Sequence, residues 1–274
     1  VRSRAPMVDD VGITARYAER IAEGKGWTYN DGDRTNGASA PLYTALLALA
    51  RLVGIDVLVT ARAIGVVAGA ACAGLVAHVG ARVGGLVAGT TGTVLLLMWP
   101  FFQSQVTSGM ESGFAVALGM GVIAALLHRR ETLAGVLLGL ALLNKLDAGM
   151  LAVAVAAAVL YVDRRPPWRI AAISAGPPLA WMIGSWAYFG SPLPNSLTQK
   201  ASGAVANPAS EVDPLWVLEL LRGHGYLLAL PVGVAALALV PGMRRARPGS
   251  ATATAVTALW PLLHVLVFSL FDLG

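Results

Sequence analysis

Residues 133–162 read LAGVLLGLALLNKLDAGMLAVAVAAAVLYV. The stretch is apolar from end to end except at Asn144-Lys145-Leu146-Asp147. It is too long for one simple bilayer crossing, which takes about 20 residues. Read as two short half-spans folding back at the polar break, it becomes a hairpin. Irregular backbone at membrane depth is tolerated where it lines a cavity. Whether this stretch is one crossing or two sets the sidedness of everything after it.

Around the hairpin the chain reads as a membrane protein. Only 13% of its 274 residues are charged, about half the share in soluble domains. The mean hydropathy is +0.67. Apolar blocks at 57–79, 85–100, 112–127, 170–189, 224–241 and 254–272 have the composition of spans. This excludes an ordinary soluble enzyme and a disordered tail. The expected fold class is all-α, a polytopic helical membrane protein. Residues 1–56 would form an extracytoplasmic loop with amphipathic and juxtamembrane helices, and 57–274 a transmembrane bundle. The chain opens on Val1 and stops at Asp272-Leu273-Gly274 straight after an apolar block. It is therefore expected to be a piece of a longer protein, with its bundle incomplete at both ends.

The arginines test the hairpin. With 1–38 outside, the inside loops hold Arg82, then Arg129 and Arg130, then Arg164, Arg165 and Arg169, then Arg244, Arg245 and Arg247. Glu131 and Asp163 are their only acids. The outside segments 1–38, 101–111, 144–147 and 190–223 hold most of the acidic residues. A single span across 133–162 would put the later arginine clusters outside, against the positive-inside rule. The net charge of +5 is then topological, and no nucleic-acid partner is expected.

Smaller features fill in the picture. Ile13, Tyr17 and Ile21 recur every four residues, as on one helix face, with Asp10 suited to the N-cap and Gly24 and Gly26 to the stop. Residues 41–53 are apolar but short, and suit either a helix along the membrane surface or a short crossing. Gly65, Gly69 and Gly74, and Gly135 with Gly139, are spaced to let helices approach closely. The lone Cys72 excludes an internal disulfide. His78, His128 and His264 form no zinc-like spacing. No phosphate-binding loop, nucleophile elbow or dinucleotide fingerprint is present.

The polar residues that remain all fall on the outer side. Asp9 and Asp10, adjacent carboxylates at a helix start, suit a general base or a cation site, or else an N-cap beside a solvated acid. Arg16 lies two turns on, able to meet an anion or to pair with Glu19, Glu23 or Asp9. Glu111 closes Thr107-Ser108-Gly109-Met110-Glu111 at the mouth of a span. It is either solvated or turned into the bundle. Lys145 and Asp147 are either a self-neutralising pair or part of a pocket. Asn195 and Lys200 follow Pro192 and Pro194, and His224 opens the next apolar block.

At this point the sequence resembles a known family. Three segments of the first outer region carry the first likeness: Asp9-Asp10-Val-Gly-Ile-Thr-Ala-Arg16-Tyr17-Ala, Gly24-Lys-Gly26-Trp-Thr-Tyr-Asn30-Asp-Gly32, and Asn36-Gly37-Ala-Ser39-Ala-Pro41-Leu42. Together they resemble the first extracytoplasmic loop of GT-C membrane glycosyltransferases, in the branch of the actinobacterial terminal arabinofuranosyltransferases. Ser108-Gly109-Met110-Glu111-Ser112 is similar to that branch's Gly-hydrophobic-Glu-Thr segment, and Leu143-Asn144-Lys145-Leu146-Asp147-Ala148-Gly149 to its Leu-Thr-Arg-Pro-Asp-Gly segment. Tyr188-Phe189-Gly190 with Leu193-Pro194-Asn195-Ser196 and Lys200 is similar to its Tyr-Phe-Gly and Leu-Pro-Asn-Thr loop. Lys145 replaces the usual Arg, Leu146 the usual Pro, and Gly12 an aromatic.

The resemblance implies an inverting transferase at the plasma membrane, facing outward. It would move a sugar, arabinofuranose in this branch, from a polyprenyl-phosphate donor to a glycan or cell-wall acceptor. It implies Asp9 or Asp10 as base, and Arg16, Lys145 and Lys200 as phosphate contacts. Tyr17, Asn30, Asn36, Glu111, Asp147, Asn195 and His224 would contact substrate. No cofactor is required, though a divalent ion at Asp9 and Asp10 is compatible. Two other readings stand beside it. One is a transporter or flippase of a lipid-linked substrate, motivated by the broken helix at 144–147. The other is an inactive membrane homologue.

Overall fold

The computed structural model describes residues 9–32, 34–195 and 248–271, with side chains from 11 to 32, 34 to 195 and 249 to 263. Among the described residues there are only helices. They are α1 (Asp9–Ala22), α2 (Pro41–Leu52), α3 (Val57–Met98), α4 (Pro100–Thr107), α5 (Ser112–Leu127), α6 (Glu131–Asn144), α7 (Ala148–Asp163), α8 (Trp168–Phe189) and α9 (Pro248–Phe271). The expected span at 224–241 and the arginines at 244–247 lie outside the described residues.

Local chemistry sets the helix ends. α1 stops in a Schellman turn, where Lys25 N–H donates to Arg20 O and Gly24 N–H to Ile21 O, with Gly24 at φ +75°. Two details of the α1 reading change. The helix already includes Asp9, so Asp10 lies within the first turn rather than at the cap. Its buried face runs through Val11, Thr14, Ala15, Tyr17 and Ala18, while Ile13 is exposed. Packing on α2, not the isoleucine spacing, chooses the face. α2 buries Tyr43, Leu47 and Ala48 but exposes Leu49 and Leu52, so both of its faces carry apolar side chains. Asp56 caps α3 by accepting from Leu58 N–H and Val59 N–H.

Counted end to end, α3 is the one described helix long and apolar enough to cross a membrane alone, and the bent pair α4–α5 reaches that length together. Yet α3 is not straight. Gly85, at φ +87° and ψ 172°, leaves the helical region and folds the chain into two antiparallel arms, 57–84 and 86–98. Added Cβ atoms at Gly80 and Gly89 would collide with backbone across the hairpin, and Thr93 Oγ1 donates to Ala73 O. Close approach of this kind requires glycine. The expected spans 57–79 and 85–100 are thus separate helical segments. The first runs on to the hairpin, and the second is shortened by Pro100, which opens α4. α4 continues the return path, its Val106 seated against Gly65 and Gly69. Gly74 has nothing within 4 Å, so it is not a packing glycine.

The remaining helices alternate in direction. α5 descends to Leu127, whose carbonyl lies against Gly249 at the start of α9. α9 begins six residues before the expected 254 because Pro248, Gly249 and Ser250 form its first turn. α6 and α7 form the hairpin, interrupted at 145–147. Gly135 and Gly139 pack onto Ile173, Ser174 and Pro177 of α8, as their spacing predicts. Val122, Ile123, Leu138, Leu151, Val155, Val159 and Val256 form the central core. Much of the bundle's outer surface is also apolar, including Val67, Leu86, Val87, Leu95, Met98, Trp168, Ile183 and Trp186.

This topology gives the bundle two unlike ends. One gathers the 108–111 bend, the 145–147 break, the end of α8 and the loop after α1. The other gathers His78, Arg82, His128, Arg129, Arg130, Glu131, Asp163, Arg165 and Arg169. There Arg129 Nη1 meets Asp163 Oδ1 at 2.6 Å, and Arg165 pairs with Glu131. His78 Nε2 and His128 Nε2 lie 2.7 Å apart, so at least one ring must be neutral.

Two predictions follow from this packing. Gly89→Ala should destabilise the purified chain by about 1–3 kcal/mol, because its Cβ strikes backbone, whereas Gly74→Ala should be neutral or stabilising by up to about 1 kcal/mol. Equal thermal shifts for both would contradict the hairpin. The second concerns His128, whose proton affinity is lowered first by desolvation and then by His78, Arg82 and Arg130. A base with a lowered folded pKa costs stability as pH falls below its ordinary value, because the unfolded chain binds the proton more readily. Midpoints measured between pH 7.5 and 5 should therefore fall in the wild type and fall less in His128→Gln.

Candidate functional site

The site is built where two helix breaks meet. α4 and α5 join at a bend of 110°. Gly109 makes this turn at φ +81°, and a side chain there would meet Ala61 and Val11. The α6–α7 break lies opposite. Asn144 Nδ2 donates to the Glu111 carbonyl at 3.4 Å, and Lys145 Nζ donates to Ser112 Oγ at 3.2 Å. Lys145 Nζ also lies 3.3 Å from Glu111 Oε1 and 4.0 Å from Asp147 Oδ2. Its ammonium occupies the place a cation would take between those carboxylates.

Burial divides the cluster. Glu111 is only 9% exposed, so it is turned into the bundle rather than solvated. Lys145 and Asp147 are each about one-third exposed at the side chain. Asn144 is fully buried, and its Oδ1 has no hydrogen-bond partner. Flipping the amide would turn that oxygen toward the Glu111 carbonyl, so the orphan acceptor stays. An orphan of this kind seeks a hydroxyl or a water.

Tyr43, on α2, joins the cluster to the outer loop. Its hydroxyl donates toward Gly109 O at 2.8 Å and Ala61 O at 3.1 Å. Burial, and secondarily the Glu111 charge, push the phenol well above its ordinary range, so it stays a donor. Sequence reading missed Tyr43, Ser112 and Asn144 as site members. In sequence Asn144 stands only as part of the break, and a tyrosine on a short apolar helix carries no distinctive signal.

The loop after α1 closes over the end of α8. Arg20 is 2% exposed, donates from Nε to Thr28 Oγ1 at 3.0 Å, and pairs with Asp31. The hydrogen bond Asp31 accepts from Arg20 Nη2, and then the guanidinium charge, hold its carboxyl below the usual range. Tyr17 OH donates to Thr35 O at 2.6 Å and accepts from Gly37 N–H at 3.1 Å. Asn36 Nδ2 donates to Ser185 Oγ at 2.8 Å, and Asn195 N–H donates to Asn36 O at 2.8 Å. Trp27 packs on Trp181, with centroids 4.7 Å apart, and the Arg34 guanidinium lies 4.9 Å over the Tyr188 ring.

The described parts of the four outer sequence segments therefore converge on one end of the bundle. The loop of 24–40 meets 185–195, the 108–112 bend meets 144–148, and α1, α2 and Gly109 connect the two pairs. Within that end the expected site residues divide. Glu111, Lys145 and Asp147 form one cluster, and Asn36 and Asn195 another. Tyr17 is buried as a peg for the loop, whereas Arg16 and Asn30 are exposed. Asp9 and Asp10 open α1 just before Val11, which packs at Gly109. The contacts of their side chains lie outside the described residues, as do Lys200 and His224. Among the described residues no three His, Cys, Asp or Glu side chains gather to hold a metal ion.

Set against family models, curated proteins and solved structures, the chain finds no match in any of them.

The Glu111–Lys145 pair is open to a direct test. Lys145→Met leaves a nearly buried carboxylate uncompensated and should cost about 1–3 kcal/mol, below the loss from a fully buried pair. Adding Glu111→Gln should restore most of it. A double-mutant cycle on thermal midpoints that returns no coupling would mean the pair does not form.

Proposed function

We propose that the chain is a polytopic α-helical membrane glycosyltransferase of GT-C type. It would move a sugar from a polyprenyl-phosphate donor to an extracytoplasmic glycan acceptor. One observation carries the reading: the described residues of the segments on which the family resemblance rests lie together at one end of the bundle, and Arg82, Arg129, Arg130, Arg165 and Arg169 lie at the other. A membrane setting is further supported by the apolar outer surface, which is far too extensive for a monomer in water. The arginine end then faces the cytoplasm and the break end faces outward.

The chemistry divides among the residues of that end. In an inverting transfer, the acceptor hydroxyl oxygen forms a bond to the anomeric carbon as the bond to the donor phosphate breaks. Asp9 or Asp10, at the start of α1 beside the Gly109 bend, accepts the hydroxyl proton. Glu111, Asp147 and the orphan Asn144 oxygen accept hydrogen bonds from sugar hydroxyls. Glu111 and Asp147 outnumber the single charge of Lys145, so this cluster alone repels a phosphate. Arg16 and Lys200 must therefore supply much of the charge that offsets the leaving phosphate. Lys145 serves mainly to hold Glu111. No divalent ion is needed for these roles.

A second reading has its own support. Two broken helices abutting at one point is an arrangement that transporters use to build substrate sites. Counterflow of a labelled polyprenyl-phosphate sugar in proteoliposomes, with no transfer to acceptor, would favour transport.

The deciding experiment uses the full-length protein in lipid, radiolabelled polyprenyl-phosphoryl arabinose and a short arabinan acceptor. Transfer is expected in the wild type. It should fall by two orders of magnitude or more in Asp9→Asn/Asp10→Asn, roughly the scale of a lost general base, with helicity by circular dichroism unchanged. Wild-type turnover in that variant would remove both aspartates from the mechanism.

A further inference from the structure

The arginine end holds an open cavity of about 570 Å³, lined by Arg129, Arg130, Glu131, Thr132, Arg165 and Arg169, with Leu133 at its edge. Its charges are not balanced. Glu131 pairs with Arg165, and Asp163 with Arg129. Those pairs fix two guanidiniums in place. Arg130 and Arg169 are exposed and have no acidic partner among the described residues. The cavity therefore keeps two uncompensated guanidiniums, the side chain best suited to grip a phosphate with paired hydrogen bonds.

Its rim shows where that phosphate comes from. Trp168, beside Arg169, is 75% exposed, and Leu133 and Val136 are exposed on α6 next to Arg130. An indole at the boundary between charge and apolar surface is a membrane-interface anchor. Arginines above an apolar helix face match a phosphodiester headgroup with its acyl chains below it. A soluble phosphate has no use for the apolar rim.

We propose that this cavity binds the headgroup of an anionic phospholipid of the cytoplasmic leaflet. The inference rests on the membrane reading above, but not on the transferase chemistry. The site lies at the opposite end of the bundle from the helix breaks. It would fasten the α5–α6 and α7–α8 connections to the bilayer surface.

Native mass spectrometry of the full-length protein in a neutral detergent tests this, using phosphatidylglycerol and phosphatidylcholine of identical acyl chains. Phosphatidylglycerol should be retained preferentially. Arg130→Gln and Arg169→Gln should each weaken that retention about fivefold, about the loss of one charge-assisted contact, while Arg51→Gln on α2 should not. Because both arginines are exposed and unpaired among the described residues, these changes leave the helices intact. Equal retention of the two lipids, or retention unaltered in both variants, overturns the site. So does displacement of the lipid by about 20 mM inorganic phosphate, which would assign the cavity to a soluble anion. Alkaline carbonate extraction of the same membranes separates the two failures. A chain released by carbonate overturns the membrane reading itself, whereas one that stays embedded without lipid preference overturns the headgroup site alone.

Discussion

Two interrupted helices need each other's polar groups, and the remaining architecture is arranged around that need. A helix that stops inside a bundle leaves carbonyls and amides without intrahelical partners. Here the Glu111 carbonyl, which already accepts from Ala115 N–H within α5, takes a second hydrogen bond from Asn144, and Lys145 reaches both Ser112 and the Glu111 carboxylate. The two breaks thus bond to each other. The junction fixes α5 against α6 at one end, and Tyr43 ties it to α2 and α3 through Gly109 and Ala61. Hydrophobic contact alone would leave these apolar helices free to slide, because one apolar surface substitutes readily for another. The polar junction sets their register.

The same logic explains why the two ends differ in kind. At the arginine end the ion pairs join neighbouring connections, Arg129 to Asp163 and Arg165 to Glu131, with both guanidiniums nearly half exposed, where solvent screening leaves such pairs little stability. At the helix junction the nearly buried Glu111 carboxylate depends on Lys145, and loss of that partner is costlier. An excess of arginine over acid at one end opposes translocation of that end across a bilayer. A nearly neutral end with orphan acceptors has room for a polar ligand. On the proposed membrane reading, the division of charge along the bundle axis would carry both topology and function.

The sequence shows the larger part of this, for a physical reason. Helix ends are written locally: Gly24, Gly85 and Gly109 stand where the backbone turns to positive φ, and the polar break at 144–147 cannot continue an apolar helix. The hairpin of α6 and α7 follows from arginine placement, because charge obeys a rule that spans the whole chain. What stays hidden is set by tertiary packing. The Ile13–Tyr17–Ile21 spacing points to one face of α1, yet α2 selects a neighbouring one. Nothing local marks Tyr43 or Ser185 as a partner of Gly109 or Asn36. Gly74 looks like Gly69 in sequence, and only the course of α4 distinguishes them.

Lys145 shows how the structure refines a residue's role. On sequence grounds an isolated cation near a lipid-linked donor suits a phosphate. In the fold it lies between two carboxylates, where a phosphate would have to displace one of them. Glu111 cannot leave without exposing a buried charge to an apolar surround, whereas Asp147, at 4.0 Å and one-third exposed, can. Exchange of Asp147 for an incoming anion is the one rearrangement that opens Lys145 without unmaking the junction. On the transferase reading, Lys145 would then reach a donor phosphate only while Glu111 still holds it. A lysine suits such an exchange better than an arginine would, because a single flexible ammonium can keep one carboxylate and turn toward another oxygen.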